Sequence, residues 1–459
     1  MNVIVLSAIW GVVMMFSGLF IASKSKAKFI AIAGVVALLI ANYFDLHHKV
    51  FINSDFNGLL RYDSFGLIFI TIALVSTLLY LLLTGRDIEK VGNHVYEYFA
   101  LLFFVLCGVG IVSVYNNFLI LFLGIEIISI PLYILTGADK RNLKSNEASL
   151  KYFLMGAFST GILLMGIAFI YGAKGTFGLE MPPIATPKLP VMISIGLIFL
   201  AIAMSFKVSA APFHFWTPDV YDGAPTVFTS FMATVVKAAG FIAFVRLFEV
   251  SFGVMTDHWQ FTIAIIIGAT LIIGNVTAVF QQSVKRMLAY SSISQAGFML
   301  FAVYSVNSLA KEGILLYSAA YCLATIGIFA VLIKMRDYTF DGFNGLAKQQ
   351  PLVAFLTAIF LLSLAGIPLT AGFLGKYYML AAAIKSGTYI PLLIIAMLCV
   401  AVSVYYYFRI IQAMYFKEGS ADAVDVTSSY KGLLVFTATL IILLGIFPNS
   451  FLLDWFHVL

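Results

Sequence analysis

Charge is the scarcest feature of this 459-residue chain. Asp, Glu, Lys and Arg make up 10% of it, against 62% hydrophobic residues, whereas a soluble domain carries about 25% charged residues. A soluble globular protein is thereby excluded. Cysteine is nearly as sparse: Cys107, Cys322 and Cys399 are scattered through apolar runs, without metal-ligand or disulfide spacing. No G-x-G-x-x-G, no Walker loop and no C-x-x-C occurs, so no nucleotide or redox centre is signalled by these motifs. The first apolar run has no basic residues before it and no small-residue cleavage site. It is expected to be a retained helix, not a signal peptide.

What is present is Leu, Ile, Phe, Ala and Val in long blocks, with a mean hydropathy of +1.03. At roughly 20 apolar residues per crossing, the chain predicts about fourteen transmembrane helices. The ten-residue alternation of a membrane β-barrel is missing. The expected fold is an all-α polytopic bundle with little left over for a soluble domain. The second span, 28–44, is the shortest, and 352–385 is too long for one straight crossing.

Basic residues set the expected orientation. Sixteen of the 27 Lys and Arg fall after odd-numbered spans or just before the last one, including Lys24, Lys26, Lys28, Arg86, Lys140, Arg141, Lys285, Arg286 and Lys348. Seven fall on the other side, among them Lys49, Arg61, Lys188 and Arg246. The positive-inside rule then places both termini outside and the odd loops in the cytoplasm. Trp10, Trp216, Trp259 and Trp455 read as an aromatic belt at span ends. The excess of positive charge reports topology, and no nucleic-acid partner is implied.

Against that background five charged residues stand inside or at the edge of apolar runs: Glu126, Lys151, Lys207, Lys237 and Lys376. A charge at the bilayer centre costs about 2.5–3.5 kcal/mol on insertion scales, so such residues face an interior or a water path. Glu126 is the one mid-span acid among 21 Asp and Glu. Pro131 frees the carbonyl of Ile127 beside it, which favours a hydrated pocket; a helix-packing ion pair is the plainer alternative. Lys207 and Lys376 lie near helix breakers, Pro212 and Pro368, and non-helical backbone at this depth needs protein or a water-filled cavity around it. A paired interruption in two halves marks the binding site of an inverted-repeat transporter; a proline kink with a snorkelling lysine is the alternative. Lys237 stands twelve residues past Pro225, about 18 Å into its span. Burial disfavours its charge and a nearby carboxylate favours it, so the group is switchable. Lys151 sits at the cytoplasmic edge, where its side chain can snorkel. His214 follows the first break and suits proton exchange, or else donates to a freed carbonyl.

Two runs carry a resemblance. A-P-F-H-F-W-T-P-D-V-Y-D-G-A-P (211–225), followed by T-x-F-x-A-T-x-x-K, is similar to the antiporter-like membrane subunits of the proton-pumping NADH–quinone oxidoreductase, complex I. Its W-T-P-D-V-Y segment looks most like the subunit N branch. V-K-R-M-L-A-Y-S-S-I-S-Q-A-G-F (284–298) resembles a run shared across that superfamily. The resemblance extends over nearly the whole chain. It implies fourteen helices, with broken helices 7 and 12 and two inverted five-helix repeats. The expected parts are N-terminal helices (1–95), a first repeat (96–250), a second repeat (260–416) and a final helix (432–459). It also implies a proton relay in which Glu126 is the fifth-span glutamate and Lys207, Lys237 and Lys376 are the seventh-, eighth- and twelfth-span lysines. Lysine at the last site fits the N branch better than the M branch, and no counterpart of the long lateral helix of subunit L is expected.

The resemblance implies further that this subunit binds no cofactor, while NADH, flavin, iron–sulfur clusters and quinone belong to partner subunits. Its partners would be other membrane subunits of the complex, including homologous antiporter-like ones, and the lipid bilayer. The location implied is the bacterial cell inner membrane. In the mechanism so implied, Glu126 pairs with Lys207 in one state, and loss of that pairing drives a proton by way of Lys237 to Lys376 and out. A subunit of a multisubunit cation/proton antiporter or of a membrane-bound hydrogenase, a stand-alone secondary transporter and a structural scaffold are the competing readings. Four buried lysines in a scaffold would cost roughly 10 kcal/mol with no return.

Overall fold

The computed structural model describes every residue except Met1, Ala22, 48–57, 182–188, Asp422, Val424, Asp425, Trp455 and 457–459. Lys49, Lys188, Trp455 and Leu459 therefore lie outside the described residues. Among those described, the chain is helical throughout, with four isolated β-bridges and no strand. In order come α1 (Asn2–Phe20), α2 (Lys24–Leu46), α3 (Ser64–Ile88), α4 (Val95–Val114), α5 (Phe118–Thr136) and α6 (Leu143–Lys174). Then follow α7 (Val191–Lys207), α8 (Trp216–Gly223), α9 (Thr226–Phe231), α10 (Lys237–Phe252), α11 (Thr256–Val279) and α12 (Val284–Ser305). The last third holds α13 (Ser308–Ile333), α14 (Leu346–Gln349), α15 (Pro351–Ala365), α16 (Ala371–Lys385), α17 (Ile390–Phe416) and α18 (Ser428–Ile446).

Eleven helical stretches among the described residues are long and apolar enough to cross a membrane. One of them, Thr226–Val279, is 54 residues long and contains α9, α10 and α11, interrupted by a single 3₁₀ turn at Gly253–Met255. Two shorter apolar helices, α7 and α15, each stop at a break and are followed by another helix. The doubtful second span is a full 23-residue helix that begins at Lys24. Lys24, Lys26 and Lys28 thus belong to its first turns and not to a loop. Lys28 extends to the carbonyl of Leu82 at 3.0 Å, as long basic side chains at helix ends do.

Polar residues start these helices where the sequence places them. Asp63 accepts from the Gly66 amide at 2.9 Å, Asn117 from Leu119 at 2.9 Å and Asn307 from Ala310 at 2.9 Å, each satisfying an amide left unpaired at a helix start. Pro351 opens α15 at its first turn, and Gly366 ends it in the left-handed region at φ 85°, where a side chain would be strained. The centre of the bundle is α13, whose apolar window is buried on all sides; a helix that is hydrophobic all round belongs in the interior. Loops sort to two ends. At one, Leu60 pairs with Tyr115 and Asn117 with Gly178; at the other, Ser283 pairs with Thr339 and Met335 with Ala423.

Each of the three described tryptophans finds a carbonyl inside the bundle. Trp10 lies mid-helix, packs on Phe103 and donates to the Ile30 carbonyl at 3.3 Å. Trp216 is buried at the first break and donates to the Phe206 carbonyl at 3.1 Å. Trp259, also buried, donates to the Phe252 carbonyl at 3.0 Å. An indole N–H that finds a carbonyl inside the bundle has no need of the interface.

Candidate functional site

The first break places Lys207. α7 ends on that residue, Ser209 takes φ 64°, and α8 resumes only at Trp216. The carbonyls freed there are recovered locally: Val208 N–H reaches Met204 O at 3.1 Å and Ala210 N–H reaches Ser205 O at 2.8 Å. Lys207 Nζ donates to Ser129 Oγ at 3.0 Å. Both residues line a small cavity of about 30 Å³ with Tyr152, Met204 and Gly240, enough for a water molecule, which needs roughly 10–15 Å³. Glu126 stands one turn before Ser129 on α5 and accepts from Thr160 Oγ1 at 2.8 Å. Among the described residues no ion pair joins Glu126 to Lys207; the carboxylate is held by Thr160 and the ammonium by Ser129. α5 continues unbroken through Pro131. Glu126 is half-buried, and Leu123, Ile130 and Ile134 beside it on α5 are exposed.

Lys237 is 2% exposed. Its Nζ donates to Ser292 Oγ at 2.9 Å and Ser292 O at 3.0 Å, and it lies 5.8 Å from the centre of the Tyr221 ring. A π-helical turn, Met232–Val236, runs directly into it. Such turns cluster at functional sites, and no residue type in M-A-T-V-V announces one. Tyr221 sits on α8, so the segment after the first break also forms a wall of the second lysine's site.

Lys376 is placed by the second break. Gly366 and Leu369 both take positive φ, at 85° and 73°. Lys376 Nζ donates to Leu364 O at 2.8 Å and Ala365 O at 2.9 Å, the carbonyls that close α15, and lies 4.8 Å from the Phe298 ring centre. A cation at a helix C-terminus meets the negative end of its dipole. Among the described residues neither Lys237 nor Lys376 forms an ion pair. Their partners are uncharged oxygens and aromatic faces.

The two remaining candidates differ in kind. Lys151 is partly exposed and forms ion pairs with Glu147 at 2.7 Å and Asp219 at 2.9 Å. Arg286 joins the same Asp219 at 3.0 Å, so Lys151 ties α6 to α8 and stands apart from the buried row. His214 is buried in the first break, stacks on Phe215 at 4.7 Å, and its Nδ1 has no hydrogen-bond partner.

Two buried cations were counted with the loops in the sequence. Lys285 is 4% exposed and donates to Asp222 O at 2.8 Å and Ala224 O at 2.7 Å, closing the end of α8. The available signal is its position at the start of a span opposite G-A-P, a helix end that leaves carbonyls unpaired. Arg246 is likewise buried and meets Asp63 at 2.5 Å. Among the described residues no cluster of three His, Cys, Asp or Glu has a geometry suited to a metal ion.

Residues 115–402 match the family described as NADH:quinone oxidoreductase/Mrp antiporter, TM. The chain is similar to NADH-quinone oxidoreductase subunit N of Cytophaga hutchinsonii, 39% identical over 98% of this chain and 99% of that protein. Subunit N of Trichlorobacter lovleyi is 38% identical over 98% of this chain and 94% of its own length. Among solved structures, a chain of respiratory complex I from Thermus thermophilus with bound aureothin superposes with a TM-score of 0.85 at 29% identity, covering 98% of both chains. A broken-helix bundle with a lysine at each break, together with these likenesses over nearly its full length, leads to one conclusion: the chain belongs to the NADH–quinone oxidoreductase subunit N family of antiporter-like membrane proteins.

Proposed function

We propose that this chain is a proton-translocating membrane subunit of NADH–quinone oxidoreductase, with Glu126, Lys207, Lys237 and Lys376 as its relay. The observation that carries the proposal is the bonding of Lys237 and Lys376. Each ammonium is buried and held by uncharged hydroxyl and carbonyl oxygens and an aromatic face, with no carboxylate among its described partners. A buried cation without a counter-ion gains little from remaining charged, so giving up and regaining a proton is within reach of small field changes. Moving one charge across the membrane costs about 2.3 kcal/mol per 100 mV. That work is assigned to quinone reduction in partner subunits, which also hold the flavin and iron–sulfur groups.

The half-buried carboxylate of Glu126 sits beside an exposed apolar strip on α5. It is turned towards a neighbouring membrane subunit, which passes on the electrostatic signal. A carboxylate that loses or gains a neighbour changes the stability of the nearby Lys207 charge through its electric field. Substituting Glu126→Ala or Lys207→Ala is expected to lower proton pumping and coupled quinone reduction while the complex stays assembled. Proton uptake by inverted membrane vesicles during NADH oxidation measures it, with assembly checked on a native gel. Intact assembly with parental pumping in both variants sinks the pairing.

Fourteen crossings follow if Thr226–Val279 counts as two and the pairs α7/α8 and α15/α16 count as one each. The breaks then occupy equivalent places, the fourth span in each set of five. That placement supports inverted repeats over 96–250 and 260–416, with 1–95 and 432–459 outside them. An even number of crossings puts both termini on one side of the membrane, and the distribution of basic residues supports that side being the outside. A cytoplasm-dependent reporter fused after Lys144 or Lys348 is expected to be active and one fused at Leu459 silent; activity at Leu459 would require an odd number of spans.

A further inference from the structure

Between Lys237 and Lys376 the interior is polar, and one residue organises it. Gln295 is 1% exposed, on α12, one turn beyond Ser291 and Ser292. Its Nε2 donates to Tyr407 Oη at 3.0 Å and to Leu364 O at 2.8 Å. Its Oε1 accepts from the Tyr317 hydroxyl. Leu364 O is the same carbonyl that accepts from Lys376 Nζ. On the other side, Tyr407 Oη lies 2.5 Å from Ser291 Oγ, next to the serine that holds Lys237. A hydrogen-bonded path therefore runs from Ser291 through Tyr407 and Gln295 to the acceptor shared with Lys376, and Ser291 adjoins the partner of Lys237.

Hydroxyls and water relay protons by accepting one and donating another. A primary amide does neither at neutral pH, because both N–H bonds donate and stay intact. Gln295 uses both of its N–H groups here, one on each side. The path is interrupted at that residue.

We propose that Gln295 is the gate between Lys237 and Lys376: a positioning residue that closes the proton route in this state and holds Tyr407 and the Leu364 carbonyl in place. The inference rests on reading the two lysines as proton carriers. Opening requires the amide to swing away and admit water beside Tyr407. The proton then leaves the Lys237 ammonium, which becomes an amine, and arrives on the Lys376 amine, which becomes an ammonium. Gln295 gains and loses nothing, and each hydroxyl or water on the path ends as it began.

A network that serves packing alone and a gate respond differently to lost volume. Gln295→Ala leaves a polar hole that water can fill. Resting vesicles carrying the assembled variant are then expected to dissipate an imposed pH gradient severalfold faster than the parent, and to retain less gradient per NADH oxidised. Gln295→Met fills the volume but carries no amide. It is expected to leak no faster than the parent, yet to pump more slowly and with an altered solvent deuterium effect. A parental leak in assembled Gln295→Ala overturns the gate. If that variant does not assemble, Gln295→Met decides, and parental pumping with a parental isotope effect overturns it. Lys237→Met and Lys376→Ala, measured in the same vesicles, separate the two readings. If they pump normally, both relay and gate are wrong; if they fail while the Gln295 variants behave as the parent, only the gate is wrong.

Discussion

Vesicles carrying Lys237→Met are expected to build almost no proton gradient, a loss of about 100-fold or more, the low end of what a positioned proton donor contributes. Methionine matches most of the lysine stem, so the space between α10 and α12 stays filled. The substitution leaves Ser292 O and Oγ without the donor they have at 3.0 and 2.9 Å, a cost of about 1–3 kcal/mol. It also removes a buried cation, and replacing such charges by apolar groups is often neutral or stabilising. Assembly is therefore expected to survive while pumping does not. The comparison to make is the pH gradient at matched amounts of assembled complex. A gradient like the parent's would remove Lys237 from the relay, since among the described residues no other lysine bonds Ser292.

Lys376→Arg should do nearly as much damage as Lys376→Ala, although the charge is kept. Lysine sheds its proton readily when buried, whereas arginine stays protonated throughout proteins. Guanidinium could satisfy Leu364 O and Ala365 O, but it could not release a proton onward. The site is also close-fitting. A methyl group on Gly366 would stand 2.9 Å from Lys376 Cδ, so the stem already lies against the backbone of the break. Coupled turnover and pumping in Lys376→Arg and Lys376→Ala settle the matter. Full activity with arginine would mean that a fixed positive charge suffices there, and the shuttle role of Lys376 would have to be abandoned.

Much of this was legible in composition and spacing, because a bilayer leaves the chain few options. Apolar runs of crossing length can only be helices there, and Pro212 and Pro368, the latter with Gly366 beside it, mark the places where helices break. Glu126, Lys207, Lys237 and Lys376 were visible because charge is rare against hydrocarbon. What the sequence hid was partnership. Lys285 looks like any cytoplasmic-edge lysine until the end of α8 is seen to lie beneath it. Ser129 and Thr160, which hold Lys207 and Glu126, carry no charge and attract no notice in a helix. Trp10 and Trp216 are ambiguous in the sequence because an indole suits an interface and a buried carbonyl equally well. Gln295 and Tyr407 stand 112 positions apart, and nothing local to either predicts the contact.

The π turn at Met232–Val236 also fixes how the helix that carries Lys237 tolerates changes of length. Such a turn holds one residue more than the α-helix around it, and each residue rotates the chain by about 100°. Deleting any one of the five would let the segment relax into regular α-helix, still apolar and still long enough to cross, and Lys237 would keep nearly the same bearing towards Ser292, because the wide turn already absorbs the extra residue. Deleting a residue from the regular part of α10 has no such outlet and would swing the two sides of the cut by about 100° against each other. The wide turn is therefore where this helix can lose a residue while the lysine stays aimed at its partner.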